Sequence, residues 1–228
     1  MRVMNIGILG SGPVGLTLGK GLMHTGHYIT IGTRNPARES LQQWARNYGD
    51  KVRLGTFRQA AEFGELLLIC TSWQGTKKAI EAAGIWNFKA KTVVDVTNPL
   101  DGKGPDKYGR LTFTIGHNNS AGEQIQAWLP PDARVVKALS CVGHERMLLP
   151  QLLQAGAPTM FIAGNSQEAK KEVINLLHEI GWTDIADMGQ IEMSRSIEPL
   201  SILWAAYGFL NDSTKHAFKL LRDVGDAP

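Results

Sequence analysis

Cysteine is almost missing from this chain of 228 residues, which carries only Cys70 and Cys141. A disulfide-stapled scaffold is excluded, and a reducing, cytoplasmic compartment is expected, with Cys70 closing an apolar run as a buried thiol. Long hydrophobic runs are missing too. The opening MRVMNIGILG has neither the long apolar core nor the small-residue cleavage site of a signal peptide. The most apolar later stretch, Leu200 to Leu210, is too short to span a bilayer. Charge of one sign does not accumulate: the net charge is +3, without runs or a Lys/Arg stripe interleaved with aromatics. Neither nucleic acid nor membrane is expected as a partner. Internal repeats and low-complexity segments are lacking as well. What remains, 43% hydrophobic and 20% charged, suits a soluble globular protein that buries a real core.

Apolar runs alternate with helical patterns, which predicts βαβ units and a doubly wound parallel sheet of the Rossmann type. Strands are expected near 3–9, 28–32, 52–55, 66–70, 92–96 and 135–139, and helices near 13–25, 36–48, 74–83 and 121–129. Asn35-Pro36 reads as an N-cap with proline at the first helical position. Ser120-Ala121-Gly122-Glu123 reads as a capping box. Beyond about residue 145 the pattern changes. TMFIAGN suggests a strand, followed by a helix at 167–180, a strand at 183–187 and a long apolar helix over 200–221. The expected division is a nucleotide-binding domain over 1–143 and a small C-terminal α/β lobe over 144–228.

Gly10-Ser11-Gly12-Pro13-Val14-Gly15 fits G-x-G-x-x-G directly after a strand and opening a helix. Gly10 permits the tight turn, Gly12 close approach of a pyrophosphate and Gly15 close helix–strand packing. The free N–H groups of the helix start suit phosphate. At the end of the second strand, an NAD site commonly places a carboxylate for the ribose 2′-OH. Here stand Gly32, Thr33 and Arg34, with Arg38 one turn further, and no acid before Glu39. A guanidinium fork fits a 2′-phosphate, so NADP(H) is expected; the plainer alternative is a solvated arginine at a strand end.

Three later loops follow strand ends where open α/β sheets bind ligands: Thr71-Ser72-Trp73, Thr97-Asn98-Pro99-Leu100 and Ser140-Cys141-Val142-Gly143. Together they favour a nicotinamide pocket. Other constellations read as structural. His24-x-x-His27 lacks a third ligand for a metal, Cys141 with His144 lacks oxyanion logic, and Asp95 caps backbone N–H groups at a strand end. Trp204 and Tyr207 read as packing residues of an apolar helix that serves as core or as a dimer face.

GILGSGPVGLTLGKGL, GTRNP, VVDVTNPLDG, NNSAGEQIQAWLP with RVVKALS, and FIAGNSQEAKKEV occur in that order. By them the chain resembles the F420H2:NADP oxidoreductases, and is similar to the oxidoreductase domain of membrane ferric reductases, over nearly its whole length to about residue 210. The resemblance implies a Rossmann domain with a small C-terminal domain, frequently a homodimer, and hydride transfer between NADPH and a deazaflavin (F420) or flavin-like small-molecule acceptor. It implies that Ser11, Gly12, Pro13 and Val14 hold the pyrophosphate and Thr33 and Arg34 the 2′-phosphate. Ser72 and Trp73 would border the cofactor, while Asn98, Pro99 and Leu100 line the cleft. Many relatives read Lys-Ala-Phe-Asn-Thr where this chain has Lys137-Ala138-Leu139-Ser140-Cys141, so a hydroxyl replaces an amide at Ser140. Such transfer needs positioning rather than an acid–base dyad, and no catalytic proton donor is identified. Imine or carbonyl reduction, and a non-catalytic NADP(H)-binding sensor, are the alternatives.

Overall fold

Every central strand is short, branched and apolar, and each carries side chains to both sheet faces. In the computed structural model, which describes residues 2–148, 150 and 156–223, the elements alternate from the start. They run β1 (Asn5–Leu9), α1 (Pro13–His24), β2 (Tyr28–Gly32), α2 (Glu39–Arg46), β3 (Val52–Gly55), α3 (Phe57–Phe63), β4 (Leu66–Ile69), α4 (Trp73–Ala83), β5 (Thr92–Asp95), α5 (Ala121–Trp128) and β6 (Arg134–Lys137). Then come β7 (Thr159–Gly164), α6 (Gln167–Glu179), β8 (Asp184–Asp187), α7 (Ser194–Ile197) and α8 (Leu200–Leu210). The strand order is β3-β2-β1-β4-β5-β6-β7-β8, parallel throughout except where β7 runs antiparallel to β6.

β4 shows why the sheet needs cover on both faces. Leu66 and Leu68 join the core shared with α1 and α6, whereas Leu67 and Ile69 join the one shared with α4 and α5. The period of two sends neighbours to opposite sides, and each fully buried large side chain contributes roughly 1.5–3 kcal/mol.

The C-terminal strands extend this same sheet. The boundary expected at residue 143 falls between β6 and the turn at His144–Arg146, within one continuous sheet. Two helix expectations are corrected. The helix expected over 36–48 spans 39–46, because Asn35 and Pro36 form a separate turn: the Asn35 side chain accepts from Ala37 N–H at 3.1 Å, and Arg38 N–H donates to Asn35 O. The helix expected over 200–221 ends at Leu210, where Asn211-Asp212-Ser213 favour a turn and Asp212 adopts φ +45°. The chain then runs extended. Phe218 packs on the core and its carbonyl accepts from Thr159 N–H at 2.9 Å, so those apolar residues serve β7. The helix α3 was not anticipated, although Thr56 and Gln59 form a complete capping box at its start. At Ser120 the box is partial: the hydroxyl accepts from Glu123 N–H, but the Ser120 N–H goes to Asn119 and the Glu123 carboxylate to Arg195.

Candidate functional site

The glycine turn after β1 is held by close approaches on both sides. Gly10, at φ +130°, donates to Gly32 O at 3.0 Å, and a Cβ there would lie 2.5 Å from the Cys70 carbonyl oxygen. A Cβ on Gly15 would overlap the Gly10 carbonyl oxygen, so α1 packs directly on the turn. Gly12 differs: a Cβ there meets nothing within 4 Å. Its backbone faces open space at the start of α1, which has no side-chain cap and no acidic residue in its first turn. Uncapped N–H groups and a positive dipole end are left for an anion, and Pro13 and Val14 complete the rim.

Beside this turn the Ser11 hydroxyl donates to the buried Thr33 hydroxyl at 3.0 Å, and Arg38 reaches Ser11 O at 3.4 Å. Arg34 is exposed at the same edge and makes no hydrogen bond or ion pair among the described residues. Two guanidinium groups therefore flank a hydroxyl pair at the end of β2.

Across the switch point between β1 and β4 lie the other three loops. The Thr71 and Thr76 hydroxyls pair at 2.8 Å, while Ser72, at the start of α4, is exposed and uses no side-chain cap. Trp73 stacks on Trp128 of α5 at 5.4 Å. Asn98 donates from Nδ2 to Ser140 O at 2.7 Å and so ties the loop after β5 to the loop after β6. Its Oδ1, like the Ser140 hydroxyl, is enclosed and has no protein partner. Pro99 is buried and its carbonyl accepts from Thr114, whereas the Leu100 carbonyl accepts from Gln74. Leu139 adopts φ +60°, an uncommon conformation for a side chain of that size, at the base of the Ser140 loop. Gly143 packs on Trp204, which brings α8 over this loop.

Beneath these loops is a cluster that motif reading overlooked. Lys137 Nζ lies 2.5 Å from Asp95 Oδ2, 2.8 Å from Glu198 Oε1 and 2.8 Å from Thr97 O. Asp95 Oδ1 accepts from the Thr97 N–H and hydroxyl, both at 2.8 Å. Glu198 accepts from the N–H groups of Ala121 and Gly122 at the start of α5, each at 3.1 Å. All three charged side chains are at most 2% exposed. Burial pulls the Lys137 ammonium down, but the two carboxylates outweigh it and hold the group above its ordinary value. Burial, helped by Asp95, pushes the Glu198 carboxyl up against the pull of Lys137. Asp95 reads from sequence as a strand-end cap, and its bond from Thr97 N–H agrees, but its pairing with Lys137 follows from strand register. Glu198 offered no local signal.

The remaining candidates are engaged elsewhere. His24 meets Lys20 O, while His27 takes Met4 N–H and contacts Glu179 at 2.6 Å. His144 pairs with Glu145, not Cys141. Burial pushes the Cys141 thiol up to about 11, and burial with the nearby Asp95 charge raises Cys70 further, so neither is a thiolate near neutral pH. Among the described residues no helix is long and apolar enough to cross a membrane.

Residues 5–99 match the family described as NADP oxidoreductase, coenzyme F420-dependent. A crystal structure of a candidate F420-dependent NADP reductase from Arthrobacter sp. FB24 superposes with a TM-score of 0.89 at 35% identity, covering 96% of this chain and all of that one. The chain belongs to the F420-dependent NADP oxidoreductase family. Among curated relatives, the F420-dependent NADP reductase of Methanocaldococcus jannaschii is 31% identical over 146 residues, 64% of this chain and 63% of that protein. The metalloreductase STEAP3 of Rattus norvegicus is 26% identical over 204 residues, 87% of this chain but 37% of that protein. The chain thus spans less than two thirds of the curated relatives it matches. Membership in this family of NADP-dependent oxidoreductases agrees with the mostly parallel sheet and with the glycine turn at its switch point.

Proposed function

We propose that this protein binds NADP(H) along the carboxyl edge of its sheet and exchanges hydride with a flat ring acceptor, a deazaflavin of the F420 type first and a flavin second. The observation that carries the cofactor reading is the Gly12 cradle beside Thr33, Arg34 and Arg38, with no carboxylate at the end of β2. In a doubly wound sheet the dinucleotide crosses at the switch point. The 2′-phosphate would then lie on the β2 side, with Ser11 to Gly15 holding the pyrophosphate. The nicotinamide half would lie over the ends of β4, β5 and β6, bordered by Thr71, Ser72 and Trp73. There Asn98 Oδ1 and the Ser140 hydroxyl are an acceptor and a donor still without partners, and Pro99 and Leu100 wall the cleft.

When bound, NADPH supplies the hydride, and its nicotinamide passes from neutral to a single positive charge. The chain's own part is to align the two rings and to exclude water, a task that needs no proton donor. The sealed position of Lys137, Asp95 and Glu198 speaks against imine reduction, which needs an acid in contact with substrate.

The test is fluorescence titration of NADPH and NADH with wild type and Arg34→Ala, followed by NADPH oxidation with F420, FMN and FAD. NADPH affinity should fall roughly tenfold in the variant, the scale of an exposed charge-assisted bond, with NADH little changed. Equal NADH and NADPH binding by the wild type would overturn the cofactor reading, and turnover with none of the acceptors would overturn the reaction. The exposed Leu203, Tyr207, Phe209 and Leu210 of α8, a helix without a charged residue, support a homodimer through isologous pairing of that face. Light scattering should give the dimer mass for wild type and a monomer for Leu203→Glu/Tyr207→Glu.

A further inference from the structure

We infer that the buried Asp95–Lys137–Glu198 cluster acts as a fixed charge that favours the oxidised state of the cofactor. The inference rests on the NADP(H) reading above and adds a role for residues that touch neither cofactor nor acceptor. Two carboxylates surround one ammonium, leaving one surplus negative charge. The start of α5 offsets part of it through Ala121 and Gly122 N–H. The Cys70 and Cys141 thiols nearby are uncharged. Both oxygens of Glu198 face donors only, namely Lys137, Ala121 and Gly122, so the ionised form is the one the geometry holds.

The cluster sits at the carboxyl ends of the adjacent strands β5 and β6, beneath the loops that would border the nicotinamide. Asp95 and Lys137 both grip Thr97, the residue before Asn98, and Ser140 is three residues beyond Lys137. Loss of hydride to the acceptor, two electrons and one proton, would leave one positive charge on the ring, which a surplus negative charge beneath these loops would favour. Low-dielectric surroundings keep the field from being screened by water. A neutral, purely structural pin would need one carboxylate per ammonium; the second makes the cluster sensitive to the charge above it. These are positioning residues that act through their field.

The experiment measures dissociation constants of NADPH and NADP+ by calorimetry with the full chain, for wild type, Glu198→Gln and Asp95→Asn. Across roughly 10 Å at an effective dielectric of about 20, one charge changes an equilibrium constant about tenfold or somewhat more. NADP+ should therefore weaken about tenfold relative to NADPH in either variant. Loss of affinity for both forms by the same factor, or no change in the ratio, would show that the cluster only holds the fold and would overturn the inference. Two variants on different elements, Asp95 on β5 and Glu198 at the end of α7, protect the result should one fail to fold. If the wild type binds neither form, the cofactor reading itself has failed, and this inference fails with it.

Discussion

Replacing Lys137 by methionine removes the one cation between two buried carboxylates while keeping nearly the same volume. Three contacts disappear, to Asp95, Glu198 and Thr97 O. The carboxylates keep their backbone partners at Thr97, Ala121 and Gly122 but then repel each other in a site closed to water. Breaking a buried ion pair from one side costs about 3–5 kcal/mol. For a chain of this size each kcal/mol shifts the melting temperature by about 2–4 °C, so the transition should fall by roughly 6–20 °C. The sign of its pH dependence is the sharper outcome. Burial already holds the Glu198 carboxyl above its ordinary value, and in the variant the opposing pull of Lys137 is gone, so its folded-state pKa lies above its unfolded value. A proton held on Glu198 is then stabilising at low pH, and that contribution is lost as pH rises through its folded-state pKa. Where one extra proton is held, stability should change by about 1.4 kcal/mol per pH unit. Thermal and urea unfolding between pH 5 and pH 8 measure both. The loss relative to wild type should be smallest at pH 5 and largest at pH 8. A loss below about 1 kcal/mol, or one equal at both pH values, would refute the account of Lys137 as the counter-ion of Asp95 and Glu198.

Two further outcomes follow from local geometry. Gly15→Ala should be strongly destabilised because the new methyl group overlaps Gly10 O, whereas Gly12→Ala should fold with a melting temperature near wild type and bind NADPH weakly; calorimetry of folding and of binding separates the two. Asp184 is held down to about 2 by Lys219, Thr159 and Arg222 against its own burial. Its contribution is present above the unfolded value near 3.8 and disappears as pH falls toward 2, so Asp184→Asn should lower stability at neutral pH by about 1 kcal/mol and match wild type in acid.

What could be read in advance was whatever local chemistry determines. Short branched runs marked the central strands, since strands buried on both faces leave an apolar signature, while β3 and β8 at the sheet edges were read from shorter alternating stretches. The glycine turn was legible because Gly10 and Gly15 answer to backbone contacts within one βαβ unit. Helix ends were less legible. Proline after Asn35 signals a turn as readily as a helix start, and the apolar residues beyond Leu210 suit a core-packed extended tail as well as a helix. Glu198 was invisible in principle: its role depends on Lys137 and on Ala121, both more than sixty residues away in sequence. The antiparallel entry of β7 was equally non-local, for it pairs only Val136 and Lys137 with Gly164 and Ala163.

β6, the last strand of the parallel run before that reversal, carries the loop that faces the β2 edge across the switch point. The wall near β2 is encoded before residue 40, and the Ser140 loop opposite it, with Trp204 laid on Gly143, is encoded after residue 134. If NADP(H) binds as proposed, an exchange point between β5 and β6 would renew the Ser140 loop while leaving the Gly10–Gly15 turn and the Thr33–Arg38 edge as they are. The match in register of Asp95 with Lys137 sets the condition for such a graft: the incoming half must bring a cation to meet the acid already waiting on β5.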